Sequence, residues 1–133
     1  MRSFTDLFIR RPALAIVLNL AIVLIGDTTG WLGQSLYLRE ACSREDGAPP
    51  PVDLAAERRN GDFVRAQIAG RRVAACHDLS DGGLLVALSE MCLAGGTGVE
   101  VAQPEGNTIP SHAFFYGEDQ ARYLVACGSG EDM

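Results

Sequence analysis

The sequence predicts an α+β domain, a mixed α/β sandwich, and three observations carry that prediction. Short apolar, β-branched runs such as Ala21–Ile25 (AIVLI) and Val73–Cys76 lie between loops bearing glycine, aspartate or paired arginines. Leu84, Leu88 and Met91 repeat at i, i+4 and i+7, the spacing of one helix face. Strand-like and helix-like segments alternate along 133 residues without an internal repeat, which suits one domain of ordinary size.

The elements follow in order. Ala21–Ile25 reads as a buried strand running into Gly26-Asp27, and Asp27–Ser35 is a loop holding Gly30 and Gly33. Leu36–Glu45 is helix-like, and Gly47–Pro51 (GAPPP) ends it, because consecutive prolines cannot continue a helix. Asp53 caps a helix reaching about Ala69, with Glu57 in its early part. Asn60-Gly61 in its middle favours two short helices joined there. Val73–Cys76 is a short strand, His77–Gly83 (HDLSDGG) a strand-to-helix loop, and Leu84–Ala94 a helix that Gly95-Gly96 ends. Gly98–Val101, Ala113–Tyr116 and Arg122–Cys127 read as strands, with Gln103–Pro110 a polar loop and Gly128–Met133 a frayed acidic tail.

Charge excludes several chemistries. All 11 basic residues are Arg, so a Schiff-base Lys, a Walker-type phosphate Lys and a Lys general base are ruled out. The net charge of −6 argues against general nucleic-acid binding, which needs surplus positive charge. The charge is uneven: Arg2, Arg10 and Arg11 against Asp6 give residues 1–26 a net +2, leaving −8 for the rest. After Pro12 the run Ala13–Gly26 is apolar except for Asn19. It is shorter than the roughly 20 residues a bilayer span needs, yet basic residues ahead of it also resemble a signal anchor. Strand and membrane contact therefore both stand as readings of this segment. The cysteines, Cys42, Cys76, Cys92 and Cys127, show no CxxC spacing. They read as buried reduced thiols rather than zinc ligands, which favours a cytoplasmic chain.

Two polar clusters could carry chemistry. In HDLSDGG, glycines open a helix beside acids, an arrangement that suits a phosphate at the helix N-terminus or Mg²⁺ on Asp78 and Asp81. The plainer reading is that Ser80 or Asp81 caps the helix and Asp78 closes the loop. His77 reads as a general base or a loop hydrogen-bonder. Glu118-Asp119-Gln120-Ala121-Arg122 is either a ligand-binding knot at a strand entry or a solvated turn. Arg58-Arg59 and Arg71-Arg72 are phosphate contacts or solvated faces. There is no GxSxG, HExxH or complete P-loop.

Four runs in register, GDTTGWLGQSLYLRE (Gly26–Glu40), PPPVDLAAERRNGDFVRAQI (Pro49–Ile68), HDLSDGGLLVALSEM (His77–Met91) and FFYGEDQARYLV (Phe114–Val125), resemble one family. It is phosphoribosylformylglycinamidine synthase, and the likeness is to its C-terminal AIR-synthase-like (PurM-like) C domain over residues 22–127. The resemblance implies an α/β sandwich and an enzyme of purine biosynthesis. That enzyme uses ATP, Mg²⁺ and glutamine-derived ammonia to convert formylglycinamide ribonucleotide to its amidine, through an iminophosphate that ammonia displaces. It implies Asp78, Glu118, Gln120 and Arg122 as nucleotide- or substrate-binding candidates, beside Ser80, Asp81, Gly82 and Gly83 from the helix-opening loop, and Asp78 as the metal candidate. It implies no catalytic residue, since the family's catalytic His motifs, ATP-binding Lys and glutaminase triad have no counterpart here. The partners implied are the remaining synthase domains or subunits, with ADP as a ligand, and the chain is expected to have no synthase activity alone.

Residues 1–26 depart from that family. FTDLFIRRPALAIVLNLAIVLIG resembles the start of resistance-nodulation-division efflux transporters, where an Arg-Arg-Pro entry precedes an apolar span. The expected division is a foreign head (1–21), the C domain (22–127) and a disordered tail (128–133). The alternatives are a non-catalytic nucleotide-binding or docking module, and a chimeric protein held at the inner membrane through residues 1–26.

Overall fold

In the computed structural model, which describes residues 21–127, three strands form one antiparallel sheet. They are β1 (Ala21–Ile25), β2 (Ala75–Asp78) and β3 (Tyr123–Cys127), in the order β1-β3-β2. β1 pairs with β3 from Ala21 opposite Cys127 to Ile25 opposite Tyr123. β2 pairs from Ala75 opposite Ala126 to Asp78 opposite Tyr123. The central place of β3 agrees with its sequence: Leu124, Val125 and Ala126 are all buried, as in a strand covered on both faces.

The described residues form four helices, α1 (Leu36–Cys42), α2 (Leu54–Ala69), α3 (Gly83–Gly95) and α4 (Ser111–Tyr116), of which α2, α3 and α4 pack on the sheet or its core. On one face Leu124 packs with Leu79, with Leu84, Ala87 and Leu88 of α3, and with Phe114 of α4, while Ile22 and Leu24 of β1 close the edge. Alternation along a strand puts Tyr123 and Val125 on the opposite face. There α2 lies close, with Val64 buried and Gly61 beside the Tyr123 hydroxyl. Helices on both faces of the sheet give the expected α+β sandwich.

The local chemistry explains most of the boundaries. Asp53 caps α2 by accepting from Ala55 N–H at 2.9 Å and Ala56 N–H at 3.1 Å, and Ser35 caps α1 through Leu38 N–H. α1 stops at Cys42, earlier than Glu45, because Ser43 turns left-handed at φ 53° and Arg44 N–H closes back on the Leu38 carbonyl. α2 runs unbroken through Asn60-Gly61. Asn60 Nδ2 donates to the Ala121 carbonyl at 2.9 Å, so a contact across the domain outweighs a local cost of about 1 kcal/mol for the glycine.

Several expectations need correction. Ala113–Tyr116 is helical: Pro110 presets the entry, Phe114 N–H reaches the Pro110 carbonyl and Gly117 N–H the Ala113 carbonyl. Gly98–Val101 forms no strand, and Val99 and Val101 are exposed, so its alternation meets no neighbouring edge among the described residues. The strand predicted at Val73–Cys76 lies two residues later, as β2, with Ala74 N–H anchoring its start on the Ala126 carbonyl. The cysteines are free but not buried: Cys42 and Cys76 are exposed, and Cys92 and Cys127 half-buried. Cys76 stands on an edge strand and Cys92 at the margin of a helix face, so periodicity gave them apolar company without cover.

Among the described residues no helix is long and apolar enough to cross a membrane. Ala21–Ile25 is a strand, as read from its β-branched run, while the rest of the membrane reading, residues 1–20, and the tail from 128 lie outside the described residues.

Candidate functional site

The two polar clusters meet. The loop after α4 brings Glu118, Asp119 and Arg122 under the Asp27–Ser35 loop and against the start of α3, and all three side chains are buried. Glu118 Oε1 accepts from Gly82 N–H and from Leu36 N–H, each at 2.7 Å. Glu118 N–H in turn donates to the Trp31 carbonyl at 2.8 Å. Asp119 accepts from the Thr29 hydroxyl, from Gly30 N–H at 3.0 Å and from Trp31 N–H at 3.3 Å. Two adjacent acids therefore fix two glycine-bearing loops by charge-assisted bonds to backbone amides.

Arg122 completes the node. Its guanidinium donates to the Gly117 carbonyl at 2.6 Å, the Thr28 hydroxyl at 3.2 Å and the Asp119 carbonyl at 3.3 Å, and lies 3.8 Å from the Asp119 carboxylate. Burial pushes its pKa down from the ordinary Arg value, and Asp119 opposes that fall. A guanidinium keeps its proton in proteins, so the node holds a buried positive charge. Ala121 N–H donates to Glu57 of α2 at 2.8 Å, tying the same turn to the opposite layer.

The glycines of HDLSDGG are required by geometry. Gly82 has φ +80° and Gly83 φ +65°, conformations that disfavour a side chain. A Cβ on Gly83 would lie 2.5 Å from the Gly117 carbonyl oxygen. Gly83 N–H is bonded to the Ser80 carbonyl at 3.1 Å, so the start of α3 is closed by its own loop.

The other candidates face outward. Asp78, Ser80, Asp81 and Gln120 are exposed. His77, half-buried, directs Nε2 to Glu90 of α3 at 3.1 Å and Nδ1 to the Asp78 carbonyl at 2.6 Å. Gln120 borders a cleft of about 160 Å³ shared with Asp27, Thr29, Asp53 and Asn60. Asp78 borders a second, wider groove of about 430 Å³ between α2 and β2, with Val64, Ile68, Cys76 and Tyr123. Enclosure in that groove raises the Cys76 thiol pKa, with the Asp78 charge second, although the residue is exposed as a whole. Burial likewise raises the Tyr123 phenol, with Glu57 and Asp78 contributing.

The described residues do not make an all-protein cage for a divalent cation. Among the described residues no three His, Cys, Asp or Glu side chains converge as metal ligands. Asp78 lies 3.8 Å from His77 Nδ1, and Asp119 is committed to loop amides.

The structure brings Gly82, Gly83, Glu118 and Arg122 into one buried node, and leaves Asp78, Ser80, Asp81 and Gln120 on the surface around it. Sequence reasoning placed Asp119 in the Glu118–Arg122 knot without singling it out, and missed Thr28 and Thr29 as members. The adjacency of two acids in GED was the available signal, but their partners lie far along the chain, 36 and 82 positions from Glu118 and 88 to 90 from Asp119.

Fold and site together define a small α+β domain whose glycine loops are pinned on an antiparallel sheet by internal acids. Comparison with known proteins is more particular. The family described as AIR synthase related protein, C-terminal domain, matches residues 19–132, and the chain belongs to that family. It is 66% identical over 106 residues to phosphoribosylformylglycinamidine synthase subunit PurL of Methylocella silvestris, covering 80% of this chain and 14% of that protein. The subunit of the same name from Acidiphilium cryptum is 63% identical over 118 residues, 88% of this chain and 16% of its own length. That of Rhodopseudomonas palustris is 63% identical over 105 residues, 79% of this chain and 14% of its own. The chain thus spans about one seventh of these relatives. None of these matches supports the efflux-transporter resemblance of residues 1–26, and the family match itself begins within that segment, at residue 19.

Proposed function

We propose that this chain is the C-terminal-domain portion of a phosphoribosylformylglycinamidine synthase, acting in ATP- and glutamine-dependent amidine formation only beside the remaining domains or subunits of that enzyme. The observation that carries this reading is the 66% identity to a PurL subunit over 80% of the chain. The structure supports a division of labour among the candidates. Gly82, Gly83, Glu118 and Arg122 hold the loops in place, while Asp78, Ser80, Asp81 and Gln120 present free polar groups to a nucleotide or substrate. ATP or ADP with Mg²⁺ belongs to this reading. The cation's ligands would have to come mainly from elsewhere in the enzyme, because the donor set here is incomplete. A cytoplasmic location belongs to it as well, with the head expected at 1–21 shortened to the residues ahead of the family match, which starts at residue 19 and runs through most of the 128–133 tail.

The test is a transplant. Residues 22–127 replace the matching segment of the Methylocella silvestris subunit, and amidine formation is assayed from formylglycinamide ribonucleotide, ATP and ammonia. The chimera is expected to keep activity within about tenfold of its parent, and the chain alone to have none. A folded but inactive chimera would overturn the assignment, and turnover by the chain alone would overturn its dependence on other domains.

A further inference from the structure

The backbone amides that open α3 have their anion already. Gly82 N–H and Leu36 N–H, from two different helix starts, converge on one oxygen of Glu118 at 2.7 Å each. Glu118 is 9% exposed and comes from a loop 36 residues beyond Gly82. Two amide donors on one oxygen at a helix N-terminus are the donor set with which proteins hold phosphate or carboxylate ligands. Here a side chain of the domain is that ligand. A phosphate brought to the same amides would meet the Glu118 carboxylate at contact distance in a poorly solvated place, where like charges repel strongly.

The geometry points to Glu118 as a built-in anion: a positioning residue that fills the amide cradle between α1 and α3, sets the Gly82-Gly83 turn, and keeps external phosphate groups off those amides. The inference stands on hydrogen bonding alone and holds whether or not the chain works within a synthase. Its consequence for any nucleotide is spatial. The phosphates would find their hydrogen-bond donors outside the cradle, not at the N-terminus of α3.

The test follows backbone amide resonances of Gly82 and Leu36 in the ¹⁵N-labelled full chain during titration with inorganic phosphate at constant ionic strength. In the wild type neither amide moves. In Glu118→Ala both move saturably, with phosphate bound about 10-fold or more tighter than by the wild type, the effect of removing one like charge from a partly screened site. Glu118→Gln keeps the acceptor without the charge, so it protects the fold if the alanine variant fails. In it both amides respond, more weakly than in Glu118→Ala. Saturable phosphate shifts at these amides in the wild type would overturn the inference. So would a folded Glu118→Gln variant whose two amides ignore phosphate.

Discussion

Replacing Arg122 by Met keeps an extended side chain in place but strips the node of its only buried cation among the described residues. Three hydrogen bonds disappear, to Gly117, Thr28 and Asp119, at 2.6, 3.2 and 3.3 Å, together with the 3.8 Å ion pair to the Asp119 carboxylate. Removing one partner of a buried pair costs about 3–5 kcal/mol, because the other charge is left uncompensated. Asp119 keeps Thr29, Gly30 and Trp31 as donors, which holds the loss toward the lower end of that range. A loss of about 3 kcal/mol is a large part of the 5–15 kcal/mol that stabilises an ordinary domain. The assay is urea unfolding followed by tryptophan fluorescence, since Trp31 is the single Trp and its amide hangs on Asp119. Arg122→Lys should recover little, because one ammonium cannot span three acceptors. Arg122→Met with Asp119→Asn should cost less than the two changes summed, by about 1–3 kcal/mol. A loss below about 1 kcal/mol for Arg122→Met, with an unchanged m-value, would refute the view that this cation organises the loops.

Two further outcomes are expected. Gly83→Ala should lose more than about 2 kcal/mol in thermal unfolding, since it adds a left-handed penalty to a clash with the Gly117 carbonyl; Gly96→Ala, at φ +61° with open space around it, should cost only the penalty, about 1 kcal/mol. Stability should also decline in alkali. Cys76 and Tyr123 have pKa values raised above their ordinary 9.0 and 10.0, so the folded state holds those protons longer than the unfolded state does. Stability from both is complete below about pH 9 and is lost as pH rises through the folded values. Tm measured from pH 8 to 11 should therefore fall, and Tyr123→Phe should flatten the upper part of that fall; an unaltered slope would show that the phenol is not involved.

The sequence made the fold class, β1 and α3 legible, because Ala21–Ile25 is an unbroken apolar, β-branched run and Leu84, Leu88 and Met91 repeat at helical spacing. Ala113–Tyr116 was misread for want of length. Six helical residues, Ser111–Tyr116, show less than two turns, and their aromatic content favours β by propensity. The α2 break at Asn60-Gly61 was a sound local expectation overruled by a bond to Ala121. HDLSDGG and GEDQAR stood out as polar loops, but nothing in their spacing shows that Glu118 faces Gly82 or that Arg122 faces Thr28. Those partners are 36 and 94 positions apart. Direction, inward or outward, is decided by tertiary contact, and for these loops it separates a structural node from an exposed rim.

The strand order has a consequence for the time course of synthesis. The sheet's centre, β3, is the last of its strands to leave the ribosome, and both β1 and β2 hydrogen-bond to it rather than to each other. Until Tyr123–Cys127 emerges, the earlier strands have no neighbour, and Leu79, Leu84, Leu88 and Phe114 lack the Leu124 around which they pack. Helices can form on the way, but the sandwich closes in one late event that joins residues about a hundred positions apart. For that interval the nascent chain carries the unpaired apolar strand β1 and uncovered leucines, the state in which a polypeptide most needs shelter from its neighbours.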